Sequence, residues 1–453
     1  MIFPPDTGCF RAMRRRVIRC SLMLALLLLA LPGFAQNDAS PAVSLTPIIV
    51  PNLPLGVVIF PNGKAINLNV AIGSGAYRQP NDVPGRLWLV TDRGPSLDCA
   101  DSRRIIGIDP EQLCNGDKTG RLYPLPGFAP SIYGVEIGAD QSARITVFLP
   151  LKGKSGRPVS GRPPQNPQRP EPVFAMDGKV FPPDPSGIDP EAIVRLSDGT
   201  FWIAEEYGPS LLHVAADGTI MKRLVPQGSE GDFRDADYDI IPSLPAVLRL
   251  RPTGRGFEGL ALSPDERFLY GMQQGPLANP DQEAYLASRH VRLLKIARET
   301  GEVVARYAYQ LEEQQVYGPD QEERERRPFH GQVNDIAAIG PDRLVVLEHG
   351  GKATRIFIVT LSEENRLPVF FDQPDYAPGY ETMSPERLQA RGIVFLPKTP
   401  VFNSDTSPGL PARLEAMAVM SPYELVLAND NEYGLDGIRT QMFRLTFPKP
   451  ILQ

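Results

Sequence analysis

The sequence predicts an all-β chain folded as a β-propeller, six-bladed by expectation with seven also compatible, carrying Pro-rich and short helical insertions. Three observations predict it. First, a short apolar strand that runs into polar residues and stops at a glycine turn recurs five times, at residues 87–95, 201–209, 268–276, 344–351 and 425–434. Second, the last four copies each follow an acidic residue with small and aliphatic neighbours: Glu191, Glu258, Asp335 and Glu415. The first copy carries Ser74 at that place. A turn of Ser, Asp, Pro and Gly lies between the two motifs, which marks a hairpin. The spacing from acid to terminal polar residue is 15 (Glu191 to Glu206), 15 (Glu258 to Gln273) and 13 (Asp335 to Glu348), so both ends of a hairpin return to one sheet edge. Third, the acids recur 67, 77 and 80 residues apart, room for a four-stranded blade of about 40–50 residues and an insertion. A β-sandwich or two unrelated β domains would leave five matched hairpins unexplained. A propeller gathers the inner-strand ends at a central channel.

Residues 1–35 read as a signal peptide. Arg14, Arg15, Arg16 and Arg19 form a basic start, residues 22–31 an apolar run, and small residues allow cleavage near Ala35. The run is about half the roughly 20 residues that a bilayer needs, so no stable membrane span is expected after cleavage. The expected destination is the periplasm or the extracellular medium, by the general secretory or the twin-arginine route. Residues 36–55 read as a linker or edge segment, and 56–450 as a single propeller domain. Within it, 153–190 is a Pro-rich insertion. Its Lys154, Arg157, Arg162 and Arg169, with Lys152 just before, belong either to a solvated loop or to a lid that meets an anionic substrate. Helices are expected at 281–289 and 320–327. The 48 Pro and 40 Gly of the 453 residues suit many short strands joined by tight turns.

Without residues 1–35 the net charge falls from −6 to −10, because five Arg and one Asp leave. That sign excludes a nucleic-acid partner held through phosphates and is compatible with bound cations. Cys99 and Cys114 stay, and in an oxidising compartment a disulfide is expected. Closing that loop stabilises by about 3 kcal/mol.

There is no nucleophile-elbow, zinc-helix or phosphate-loop motif, and His213, His290, His330 and His349 do not cluster at metal-ligand spacing. What recurs is oxygen. Glu191, Glu258, Asp335 and Glu415 are the expected metal ligands, or else locks between adjacent blades through backbone amides. Asp92, Arg93, Glu206 and Glu348 are the expected catalytic residues, with Asp430 or Glu432 in the same region. Glu205 and Glu206 face opposite sides of a strand, so only one lines the site; which one stays open. His349 reads either as a general base or as a hydrogen-bonded strand end. Carboxylates about 5 Å apart repel by roughly 3 kcal/mol at an effective dielectric near 20. An all-oxygen set with Asn429 and Asn431 nearby suits Ca²⁺, with Mg²⁺ as the other option. No organic cofactor is expected.

Glu258-Gly259-Leu260-Ala261 with Gln273-Gln274-Gly275-Pro276, Asp189-Pro190-Glu191-Ala192 with Glu205-Glu206-Tyr207-Gly208-Pro209, Asp92-Arg93-Gly94, and Gly156-Arg157-Pro158 resemble the phytase-like family of secreted bacterial proteins. The resemblance covers roughly residues 70 to 435. It implies esterase-like activity with repeated Glu and Asp in hydrolysis. The expected function is therefore an exported esterase-like or phosphoesterase-type hydrolase, using a central acidic cation site on a small anionic or ester substrate. A non-catalytic binding or scaffold propeller is the alternative, and a sugar-lactone hydrolase a further one.

Overall fold

The computed structural model describes residues 43–166, 170–313, 331–350, 353–407, 409–411 and 413–451. The expected signal peptide, the expected helix at 320–327 and Arg169 lie outside these residues.

Five sheets stand around one axis. Blade I runs outward through Gly75–Tyr77, Arg86–Val90, Ser131–Ile137 and Ala143–Pro150. Blade II is Pro190–Arg195, Phe201–Glu205, Ser210–Val214 and Ile220–Pro226, with Asp239–Leu244 added parallel at its edge. Blade III is Phe257–Leu262, Phe268–Gln273, His290–Ala297 and Val303–Gln310. Blade IV is Gln332–Gly340, Arg343–Gly350, Ala353–Thr360 and Lys398–Asn403. Blade V is Leu414–Ser421, Glu424–Asn429 and Met442–Thr446, completed by Ser44–Ile48. The inner strand of each blade adjoins that of the next, and the inner strand of V adjoins that of I, so the ring closes.

The propeller class and its repeated hairpins stand. The blade number differs: five sheets form the ring where six were expected. The five sequence copies are the five blades, and the chain left over builds two further sheets. One is the hairpin Pro54–Ile59 with Ala65–Asn69. The other joins Leu97–Asp98, Arg121–Leu122, Val173–Phe174 and Val180–Phe181, so the Pro-rich insertion supplies two of its strands. These two sheets enclose one apolar cluster with Val58, Phe60, Leu68, Leu122 and Phe174, stapled by the Cys99–Cys114 disulfide. Helix Gln282–Ala287 forms where expected, with Asp281 accepting the Ala284 N–H as its N-cap. No helix among the described residues is long and apolar enough to cross a membrane.

The inner strands are apolar on both faces because each is flanked by two neighbouring blades. All six residues of Phe257–Leu262 are buried. The core is accordingly divided among the seams. Ala192, Val194 and Trp202 of blade II meet Leu260, Leu269 and Leu294 of blade III, while Ala76, Leu87 and Leu89 of blade I meet Ala416, Ala418 and Val426 of blade V. Gly75 shows how close the inner strands come: a Cβ there would lie 2.6 Å from the Ala192 Cα, where no side chain fits.

Candidate functional site

Register decides which polar residues reach the axis. In four blades the hairpin begins with a β-bulge, between Pro190 and Ala192, Phe257 and Gly259, Val333 and Asp335, and Leu414 and Ala416. The bulged residues are Glu191, Glu258, Asn334 and Glu415. A bulge re-aims a side chain, and here Glu191, Glu258 and Glu415 turn into a central cavity of about 560 Å³, with Ser74 of blade I beside them. Asn334, not Asp335, is the blade IV equivalent. Asp335 sits one residue further along, where it accepts the Ile336 N–H at 2.8 Å and, across the seam, the Met417 N–H at 2.8 Å. It locks blade IV to blade V and does not line the cavity.

The same count sorts the outgoing strand ends. Pairing sets Glu205 opposite Pro190, Gln273 opposite Phe257, Glu348 opposite Val333 and Asn429 opposite Leu414. These four, with Thr91 of blade I, are fully buried. The next residue of each copy, Asp92, Glu206, Gln274, His349 and Asp430, lines the cavity. Glu348 is thus the partner of Glu205 and not of Glu206. Its carboxylate accepts from the Tyr309 hydroxyl, from the Glu312 N–H at 3.1 Å and from Lys398 Nζ at 2.8 Å. Glu205 is equally committed. It pairs with Arg223 at 2.6 Å, both side chains being 0% exposed, and accepts from the Tyr207 N–H at 3.0 Å and the Ser210 hydroxyl at 2.8 Å. Glu206 is the residue left for the site.

Of the residues expected from sequence, the structure therefore gathers Asp92, Arg93, Glu191, Glu206, Glu258 and Glu415 around one cavity, and sets Glu348 and Asp335 apart from it. Arg93 is buried among three carboxylates: it pairs with Glu171 at 3.0 Å, with Glu206 at 2.6 Å and with Asp189. Its guanidinium also lies over the Tyr207 ring, 5.0 Å from the centroid, and its backbone N–H donates to Asp189 at 2.9 Å. Oxygens of Asp189, Glu191 and Glu206 lie within 4.8 Å of one another, a group that could hold a metal ion. Sequence reasoning missed Asp189 as a site residue, although it is two residues before Glu191 at the mouth of the same strand. It also missed Glu171 on the insertion, and Arg255 and Arg413, which line the cavity from loops between blades.

Acids outnumber bases here, and the carboxyls respond. Burial pushes Glu191 well above the usual carboxylate range, reinforced by Asp189, Glu258 and Glu206. Burial does the same to Glu258 and Asp430, and to Asp189 despite Arg93. Asp92 is raised to about 6, chiefly by burial and against the nearby Tyr433 hydroxyl and the Gly94 N–H. Glu415 is raised to about 7 by burial, with Arg413 opposing and Glu432 adding to it. Glu432 is buried too, but Arg413, 2.5 Å away, brings it below its ordinary value.

The sign of the resulting pH dependence follows. A carboxyl raised on folding contributes stability below its unfolded value and loses it as pH climbs through the folded one. In chelator, Asp92 and Glu415 should therefore make thermal stability fall as pH rises from the ordinary carboxylate range up to about 6 and about 7 respectively. His213, lowered by burial to about 4, acts on the other side: its contribution is lost as pH drops towards that value. Melting temperatures across this range, with and without Ca²⁺, check it. Saturating cation should remove the fall on the neutral side.

Comparisons place the chain among known proteins. An uncharacterized secreted protein of Arthroderma benhamiae is 26% identical over 120 residues, which are 24% of this chain and 23% of that protein. The match thus spans about a quarter of the relative's length. Two solved structures overlap widely at low similarity. The PQQ-bound aldose sugar dehydrogenase of Streptomyces coelicolor is 10% identical, covering 90% of this chain and 99% of that one, with a TM-score of 0.32. The calcium-binding protein regucalcin of Agrobacterium tumefaciens is 12% identical, covering 90% and 99%, with a TM-score of 0.32. Similarity at this level carries no inference about chemistry. The profile described as "Phytase-like: Esterase-like activity of phytase" matches residues 71–433, most of the ring, and the chain belongs to that family.

Proposed function

We propose that the chain is an exported hydrolase of ester or phosphoester bonds, acting at the central cavity with a divalent cation, Ca²⁺ in preference to Mg²⁺. The observation that supports this reading most is the convergence of Glu191, Glu206, Glu258, Glu415, Asp92 and Asp430 on one cavity. Arg93 neutralises part of the Asp189, Glu206 and Glu171 charge, yet Glu191 and the remaining acids still exceed the available guanidinium groups. The fit to a cation rests on the donors. All are oxygens, three of them come within 4.8 Å of one another, and the irregular, carboxylate-rich set matches the flexible oxygen shell of Ca²⁺ better than the strict octahedron of Mg²⁺.

Asp189, Glu191 and Glu206 would hold the ion. Bound there, it would supply Lewis-acid polarisation of the scissile oxygen and a more acidic water. Arg93, held by three carboxylates, fixes the orientation of Glu206 and Asp189 and is a positioning residue. Arg255 and Arg413, 33% and 37% exposed, extend into the cavity and would meet an anionic group of the substrate. Asp92, with its affinity for protons raised towards neutrality, is suited to take the proton of an attacking water.

The test is turnover of phosphomonoester, phosphodiester, carboxyl ester and lactone substrates by the mature chain, with and without chelator. Hydrolysis of an ester or phosphoester that is abolished by chelator and restored by Ca²⁺ is the expected result. Chelator-resistant hydrolysis would overturn the cation requirement, lactone-only turnover the bond type, and no turnover on any class would return the chain to a binding or scaffold role.

A further inference from the structure

The two register positions that frame the site in blade II recur in blade III. In blade II the bulged residue and the strand-end residue are Glu191 and Glu206; in blade III the same two register positions hold Glu258 and Gln274. Both line the central cavity, yet they are only 5% and 4% exposed. Gln274 Nε2 donates to Glu258 Oε1 at 2.8 Å, which orients the amide and leaves its oxygen as the open end. Glu258 Oε2 and Gln274 Oε1 are both buried, and neither has a hydrogen-bond partner among the described residues.

Two orphaned acceptors on a touching pair are costly: each buried polar atom without a partner forfeits about 1–3 kcal/mol, and more when charged. No ion pair to Glu258 forms among the described residues, although the charge of Arg255 acts on it from further away. Arg255 is directed to Glu206 at 4.0 Å, and Arg413 to Glu432 at 2.5 Å and Glu415 at 3.6 Å. A water would satisfy an oxygen but would not offset the burial of the carboxylate, whereas a cation would do both.

We propose that Glu258 and Gln274 form a second oxygen-donor subsite for a hard divalent cation, one blade round the ring from the Asp189–Glu191–Glu206 group. The subsite deepens the cation-dependent reading of the cavity and rests on it for its role, but its occupancy can be measured separately. Its mixed set, one carboxylate with one neutral amide oxygen, is typical of Ca²⁺ coordination and carries less charge than the blade II group. It should therefore bind more weakly, because oxygen sites tune their affinity through ligand charge.

Calorimetric titration of Ca²⁺ into the metal-stripped mature chain tests it. Wild type should take up two ions, a tighter and a weaker. Glu258→Gln should lose the weaker event or weaken it at least tenfold, and Glu191→Gln should instead remove the tighter one. Gln274→Glu, which adds a ligand charge, should tighten the weaker event about tenfold and serves if Glu258→Gln fails to fold. Unchanged stoichiometry and affinity in Glu258→Gln, or no response to Gln274→Glu, overturns the subsite. Loss of binding in Glu258→Gln with none in Glu191→Gln supports the subsite and moves the fault to the blade II assignment. Two-ion binding alongside chelator-resistant hydrolysis supports the subsite and removes only the catalytic reading.

Discussion

Arg93→Ala should lower the unfolding free energy by about 3–5 kcal/mol, because it leaves Glu171, Asp189 and Glu206 facing one another without their shared cation. The side chains of Arg93, Asp189 and Glu206 are 7%, 0% and 6% exposed, so solvent cannot take the place of the guanidinium. Arg93→Lys should recover only part of the loss. An ammonium keeps the charge but lacks the planar fork that serves several carboxylates at once. Denaturant unfolding in chelator measures both variants. Added Ca²⁺ should restore part of the stability of Arg93→Ala, since an ion in the Asp189–Glu191–Glu206 group neutralises the same charges. A loss below about 1 kcal/mol, the size of an exposed pair, would show that the cluster is hydrated in solution.

Asp92→Asn should reduce kcat by about 10²–10⁴-fold while the protein remains at least as stable as wild type. The two readouts together separate chemistry from structure. Asp92 accepts the Gly94 N–H at 2.9 Å, a contact an Asn oxygen can keep. Gly94 holds φ at +98°, and a Cβ there would meet Phe128 at 2.4 Å, so the turn that presents Asp92 depends on glycine. The wild-type rate should rise with pH as the Asp92 carboxyl loses its proton, and the variant should lack that limb. A wild-type rate in Asp92→Asn would move the base role to another raised carboxyl of the wall, with Glu415 next to be tested.

The ring was legible in the sequence because each blade repeats one local grammar: apolar strand, tight turn, apolar strand, polar end. What misled was a single residue. Aligning Asp335 with Glu191, Glu258 and Glu415 puts acid under acid, but backbone pairing puts Asn334 there. A one-residue slip sends a strand side chain to the opposite face, and that is the whole difference between a cavity wall and a lock on Met417. The same slip matched Glu348 to Glu206 when it corresponds to Glu205. Composition cannot settle such a tie between neighbouring acids. It is settled by long-range partners, Arg223 for Glu205 and Lys398 for Glu348, whose proximity no local pattern announces. Asp189 was hidden for a related reason: its role is defined by Arg93, 96 residues earlier in the chain. The blade number came out lower than expected because the stretches around 97–98, 121–122 and 173–181 pair into a side sheet and add no sixth blade to the ring.

Blade V is assembled from both ends of the described chain, with Ser44–Ile48 lying along Met442–Thr446. The polypeptide therefore behaves as a belt whose buckle is its own first strand. The ring cannot shut until some 400 residues have been ordered or threaded between the two halves of the clasp, and closing a loop of that length costs about 5 kcal/mol of chain entropy beyond a constant. Pairing of the two ends is therefore a contact of very high sequence separation, made on the outer edge of blade V. It also places the seam between blades V and I, which carries Glu415, Asp430 and Asp92, at the point where the cavity is completed only when the whole chain has arrived.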